Sequence, residues 1–83
     1  MSPRLRRLSS REVCRALGRF GFEVVATRGS HAKLRRVSLE GLRQTLTIPL
    51  HRDLAPGTLR AVFRQSCRFV PEEELRPLFF GEG

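Results

Sequence analysis

Three strand-like runs lie so close together in this chain that only hairpins can join them. Phe22-Glu23-Val24-Val25-Ala26-Thr27-Arg28 is rich in β-branched residues, as are His31 to Val37 and Gln44 to Ile48. Gly29-Ser30 separates the first two runs, and the turn Ser38-Leu39-Glu40-Gly41 follows the second. A parallel neighbour needs a crossover of a dozen or more residues, so these strands pair antiparallel. Alternation then assigns the faces. Phe22, Val24 and Ala26 are expected on one side of the first strand. Ala32 and Leu34 point inward from the second, with His31, Lys33 and Arg35 outward. Leu46 and Ile48 share a face of the third, and Pro49 ends it because proline cannot donate to a ladder.

Two helical patterns flank the strands. Ser9-Ser10-Arg11-Glu12 reads as a capping box, predicting a helix from Ser10 to about Arg19. Val13, Leu17 and Phe20 line one face of it with Cys14 beside them, and Arg11, Arg15 and Arg19 form a basic stripe on another. Gly18 and Gly21 supply the exit. After the loop 49–55, Pro56 suits the first turn of a second helix. There Leu59, Val62, Phe63, Ser66 and Cys67 make an amphipathic stripe, with Arg60 and Arg64 on the other side. Pro71 opens a short acidic turn through Glu72, Glu73, Glu74 and Leu75, and Pro77 is expected to stop it. Residues 1–8 read as a basic arm, frayed at its start.

The predicted order is α-β-β-β-α: an α+β fold in which two helices cover one face of a three-stranded antiparallel sheet. A single domain over residues 1–83 is expected, with a core of 9–70, the arm 1–8 before it and an acidic tail 71–83 after it. The opposite sheet face is left open, and His31, Lys33 and Arg35 lie on it.

Charge narrows the function. The chain carries 16 Lys plus Arg against 8 Asp plus Glu, a formal net charge of +8. Residues 1–70 hold 15 basic and 4 acidic side chains, while residues 71–83 are net acidic. Such a field concentrates polyanions, of which RNA and DNA are the usual ones. Lys33 is the only lysine; the rest are arginines, which pair bidentately with phosphate and stack on bases. With no Trp or Tyr and most of the 6 Phe at core positions, base stacking is poorly supplied. Loose sequence selectivity and weak intrinsic affinity follow. Cys14 and Cys67 are too few for a disulfide framework and have no partner at metal-ligand spacing. They are expected as buried thiols of a cytoplasmic protein, a single disulfide being the alternative. No metal or cofactor site is visible. Arg4, Arg6 and Arg7 resemble the start of a signal peptide, but no apolar run follows, and no stretch could span a membrane.

Gly29-Ser30-His31 carries the chemistry. A histidine titrates near neutral pH and can take or give a proton. RNA cleavage needs the 2′-OH deprotonated, or a water activated, and the leaving 5′-oxygen protonated. Arg28, Lys33, Arg35 and Arg36 flank the triplet as phosphate-contact candidates. Ser30 is placed to bond a phosphate, to orient His31 or only to turn the chain, and Gly29 serves the backbone. His51 is a second candidate, as an acid/base group, an RNA contact or a loop-structuring residue.

Leu17-Gly18-Arg19-Phe20-Gly21-Phe22-Glu23-Val24-Val25, then Arg28-Gly29-Ser30-His31, Ile48-Pro49-Leu50-His51 and Pro56-Gly57-Thr58-Leu59-Arg60 together resemble the HicA toxin family over roughly residues 9–70. The resemblance implies a fold like that of double-stranded-RNA-binding domains and an mRNA interferase that cleaves RNA and blocks translation. It maps the family's functional histidine onto His31 and implies a HicB-type antitoxin that covers the active face. A non-catalytic RNA-binding module of the same fold is the alternative, and a subunit whose basic face docks an acidic protein is a third.

Overall fold

The two-residue loop Gly29-Ser30 closes a hairpin in which Arg28 pairs with His31. Gly29 has φ +57° and, among the described residues, no non-glycine residue has positive φ, the pattern of a type II′ turn that matches the strand twist. In the computed structural model, residues 3–81 are described; Met1, Ser2, Glu82 and Gly83, the outer ends of the expected arm and tail, lie outside them.

The elements run β1 (Arg4–Leu5), α1 (Ser10–Gly18), β2 (Glu23–Arg28), β3 (His31–Val37), β4 (Arg43–Pro49), α2 (Pro56–Ser66), α3 (Glu72–Phe79) and β5 (Phe80–Gly81). Strands β2, β3 and β4 form an antiparallel sheet in that order, with β3 central. The α+β class and the α-β-β-β-α order are as the sequence predicts, and the order is that of double-stranded-RNA-binding domains.

Helix α1 begins where the capping box puts it. The Glu12 N–H donates to Ser9 Oγ at 3.1 Å, and the Ser9 N–H donates to Glu12 Oε1 at 2.9 Å. Those bonds favour the charged carboxylate and hold the Glu12 pKa below its ordinary value. Past the cap residue Arg19, Gly21 turns the chain with φ +93°. Helix α2 starts at Pro56 with no side-chain cap, the ring supplying the helical φ.

The helices bury the even-numbered side of β3 and β4. Ala32, Leu34, Leu46 and Ile48 are buried there against Val13, Leu17, Phe22, Leu59 and Val62. Each fully buried Leu or Ile side chain contributes about 1.5–3 kcal/mol of transfer free energy. Ser66, in the α2 stripe, is buried too, and its hydroxyl donates to the Val62 carbonyl at 2.8 Å.

Four expectations need correcting. The first concerns β2. Phe22 is buried, but Val24 and Val25 remain 52% and 46% exposed. The register shifts between Val24, opposite Leu34, and Ala26, opposite Lys33. The extra residue is a bulge that reverses the alternation, so Ala26 moves to the open face instead of sharing Val24's side. The second concerns the tail. Pro77 does not stop a helical turn; it sits inside α3, which continues to Phe79. A proline there loses one hydrogen bond, but Leu75 and Phe79 are both fully buried, and Phe79 packs at 5.3 Å between ring centroids on Phe63.

The third concerns the arm. Arg4 and Leu5 pair with Gly81 and Phe80 as a two-stranded antiparallel sheet, and Leu8 is buried in the core. The Arg6 N–H also donates to the Phe79 carbonyl at 2.8 Å. The fourth concerns the cysteines. Both are free, as expected, but only half-buried. Burial raises the thiol pKa of each, with the Glu72 carboxylate adding to the rise at Cys67.

Candidate active site

The open face is assembled by cross-strand pairing from the odd-numbered residues of β3. His31 lies opposite Arg28 on β2 and Pro49 on β4; Lys33 lies opposite Ala26 and Thr47; Arg35 lies opposite Glu23 and Thr45. Directly opposed residues share a face, with Cβ atoms about 4.5–5.5 Å apart in an antiparallel pair. One imidazole and three cations, Arg28, Lys33 and Arg35, therefore gather on one side of the sheet. His31, Arg28 and Lys33 are exposed, and Arg35 is half-buried. Among the described residues, only Arg7 and Arg76 form ion pairs, so the cations beside His31 keep their field directed at solvent.

A shallow depression forms at the His31 end, lined by Ala26, Thr27, Arg28, His31, Lys33 and Thr47. The Ser30 hydroxyl lies 3.4 Å from His31 Nδ1. A bond donated from Nδ1–H to that hydroxyl leaves the ring's lone pair on Nε2. The Leu50 N–H donates to the Ser30 carbonyl at 2.6 Å, tying the hairpin turn to the chain beyond β4. The histidine thus sits on a turn braced from both sides. The Thr47 hydroxyl on this face was not singled out from the sequence, although its register with Lys33 follows from the β3–β4 hairpin.

Two expected contact residues are placed elsewhere. Arg36 shares the parity of Ala32 and Leu34 and turns toward the helices. Its Nε donates to Gln44 Oε1 at 2.5 Å, its Nη1 to the Phe20 carbonyl at 2.9 Å and its Nη2 to the Phe69 carbonyl at 2.6 Å. Its guanidinium also lies 5.0 Å from the centre of the Phe22 ring. Arg36 ties the end of α1, strand β4 and the α2–α3 link together. Those three donors are engaged within the molecule, on the side of β3 away from His31. The alternation that put Ala32 and Leu34 inside was the signal for this placement.

His51 lies two residues beyond Pro49. Its backbone is clamped to the start of α1: the Ser10 N–H donates to the His51 carbonyl at 3.0 Å, and the His51 N–H donates to Ser10 Oγ at 3.1 Å. Its exposed side chain lines a separate depression with Ser9, Arg11, Leu50 and Arg52. The two histidines do not share a depression. Among the described residues, no group of three or more His, Cys, Asp or Glu side chains comes together as metal ligands, and no helix is long and apolar enough to cross a membrane.

Residues 10–66, more than half of the chain, match the family model described as HicA toxin of bacterial toxin-antitoxin. No curated protein and no solved structure gives a match. The matched span contains α1, the whole three-stranded sheet and α2; β1, α3 and β5 fall outside it.

Proposed function

The chain belongs to the HicA toxin family, and we propose that it acts as an endoribonuclease whose acid/base group is His31. The family match makes it a toxin of a toxin–antitoxin system. The observation that carries the finer reading is the company His31 keeps: an exposed imidazole opposite Arg28, on the same face as Lys33 and Arg35.

Arg28, Lys33 and Arg35 hold the RNA by its phosphates, a contact that orients the strand without reading its sequence. The imidazole takes the proton of the 2′-OH, whose oxygen attacks the neighbouring phosphorus while the bond to the 5′-oxygen breaks. The imidazolium so formed then protonates that leaving oxygen. The adjacent guanidinium and ammonium groups stabilise the charge on the pentavalent phosphorus. Ser30 Oγ accepts from Nδ1–H, the tautomer that leaves the Nε2 lone pair facing the substrate. Gly29 supplies the turn, and His51 contributes a backbone clamp and an RNA contact outside the reacting centre. RNA is the substrate, a HicB-type antitoxin is the partner that covers the open face, and the site of action is the cytoplasm.

The test is incubation of purified, partner-free protein with labelled single-stranded RNA in EDTA, beside His31→Ala. Cleavage by the parent and not by the variant supports the reading. The separate placement of His51 favours a second reading, a non-catalytic RNA-binding module. It predicts retention of intact RNA by both proteins.

A further inference from the structure

The arm before α1 carries Arg4, Arg6 and Arg7 and lies outside the family match. Its pairing with β5 fixes where those arginines stand. Arg6 lines a depression with Arg15 and Arg19 of α1. Arg4, Arg6 and Arg7 line a second depression with Arg60 of α2. Arg6 is common to both, so the arm bridges the outer faces of the two helices.

Arg15 and Arg19 lie on the side of α1 away from its buried Val13 and Leu17. This surface is therefore on the helix side of the molecule, away from His31. The acidic groups among the lining residues are already engaged. Asp53 pairs with Arg7 at 3.0 Å, and Glu12 closes the capping box while its charge also attracts Arg6 and Arg15. Arg6, Arg15, Arg19 and Arg60 are exposed, and none of them pairs with a carboxylate among the described residues.

Arg11, Arg15 and Arg19 repeat at i, i+4, i+8, and like charges at that spacing repel. Arg15 in the last turn and Arg19 at the C-cap gain from the helix dipole. With Asp53 paired to Arg7, Glu12 is the one remaining carboxylate beside Arg6, Arg15, Arg19 and Arg60, which leaves this surface strongly cationic, the complement of a phosphate backbone. We propose that Arg6, Arg15, Arg19 and Arg60 form a second RNA-binding surface, built by the N-terminal arm on the helix side, that grips the phosphate backbone of the RNA presented to the His31 face. The proposal rests on the reading of the chain as an RNA-cleaving toxin. A strand held on both sides of the molecule stays bound between cleavages, which offsets the poor supply of stacking aromatics.

The test uses the full chain with His31→Ala, so that RNA stays intact. Affinity for labelled single-stranded RNA is measured by fluorescence anisotropy across a salt series. A helix-side variant (Arg6→Gln, Arg15→Gln, Arg19→Gln, Arg60→Gln) is compared with an open-face variant (Arg28→Gln, Lys33→Gln, Arg35→Gln). Circular dichroism confirms that each is folded, and Arg15→Gln with Arg19→Gln alone serves if the full helix-side variant is not. The helix-side variant should bind at least tenfold more weakly, with a log–log salt slope shallower by about 2–3, as expected from about four lost phosphate contacts to a single strand. An unchanged affinity and slope there, with a loss only in the open-face variant, overturns the second surface and leaves the proposed function standing. Loss of antitoxin binding without loss of RNA binding also overturns it, by assigning the surface to a protein. Failure of the His31→Ala parent to bind RNA at all sinks the proposed function itself.

Discussion

Arg35 and Arg36 are neighbours on β3, yet they belong to different regions of the molecule. Arg35 lies among the cations of the open face, opposite Glu23 and Thr45. Arg36 faces the helices, and its donors reach Gln44 and the carbonyls of Phe20 and Phe69. The same side chain on the same strand is available to a polyanion on one side and is a structural tie on the other. The two sides of β3 thus divide the protein's needs: the covered side holds the fold, and the open side is free to act.

The sharpest way to break that division is at His31. On the open face, His31→Ala should lower RNA cleavage by about 10²–10⁴-fold, the usual contribution of a positioned acid/base group. The urea midpoint should not move. A large drop in stability would erase the distinction between the faces. Across the same strand, Leu34→Ala should destabilise the protein by about 2–5 kcal/mol, because Leu34 is fully buried. Urea denaturation measures this directly.

The arginine tie sharpens the comparison further. Arg36→Ala should cost about 1–3 kcal/mol, since it leaves half-buried carbonyls without their donor. Lys33→Ala should change stability by no more than about 0.5 kcal/mol while weakening RNA binding. A result in which Arg36→Ala weakened RNA binding and left stability intact would place Arg36 with the open face after all. The smallest effect concerns pH. The Glu12 pKa is lowered in the folded state by its bonds to Ser9. Its stabilisation of α1 is therefore fully present above the ordinary glutamate range and is lost as pH falls through the lowered value. Glu12→Gln should flatten that part of the acid-unfolding curve, followed by circular dichroism.

Local rules made some of this visible in the sequence. The capping box of α1 and the alternation of Ala32, Leu34, Leu46 and Ile48 each depend on residues within a few positions of one another. Those features appear in the structure where they were expected, and they place His31, Lys33 and Arg35 on the open face. The bulge in β2 was not legible, because it depends on how Val24 and Ala26 register against β3 rather than on β2 alone. The charge of Arg36 suggests solvent, although its parity points inward and its donors bond there. Pro77 by itself signals a stop, yet Leu75, Leu78 and Phe79 follow helical spacing around it, and burial against Phe63 outweighs the missing bond. The pairing of β1 with β5 joins residues too far apart for any window along the chain to reveal.

The β1–β5 pair also imposes an order in time. Arg4–Leu5 is synthesised before every other described element, and Phe80–Gly81 after all of them. Closing the long loop between them costs more entropy than closing the two-residue hairpin at Gly29-Ser30. The pair therefore comes late in folding, and the arginines of the arm take up fixed places only in the completed molecule.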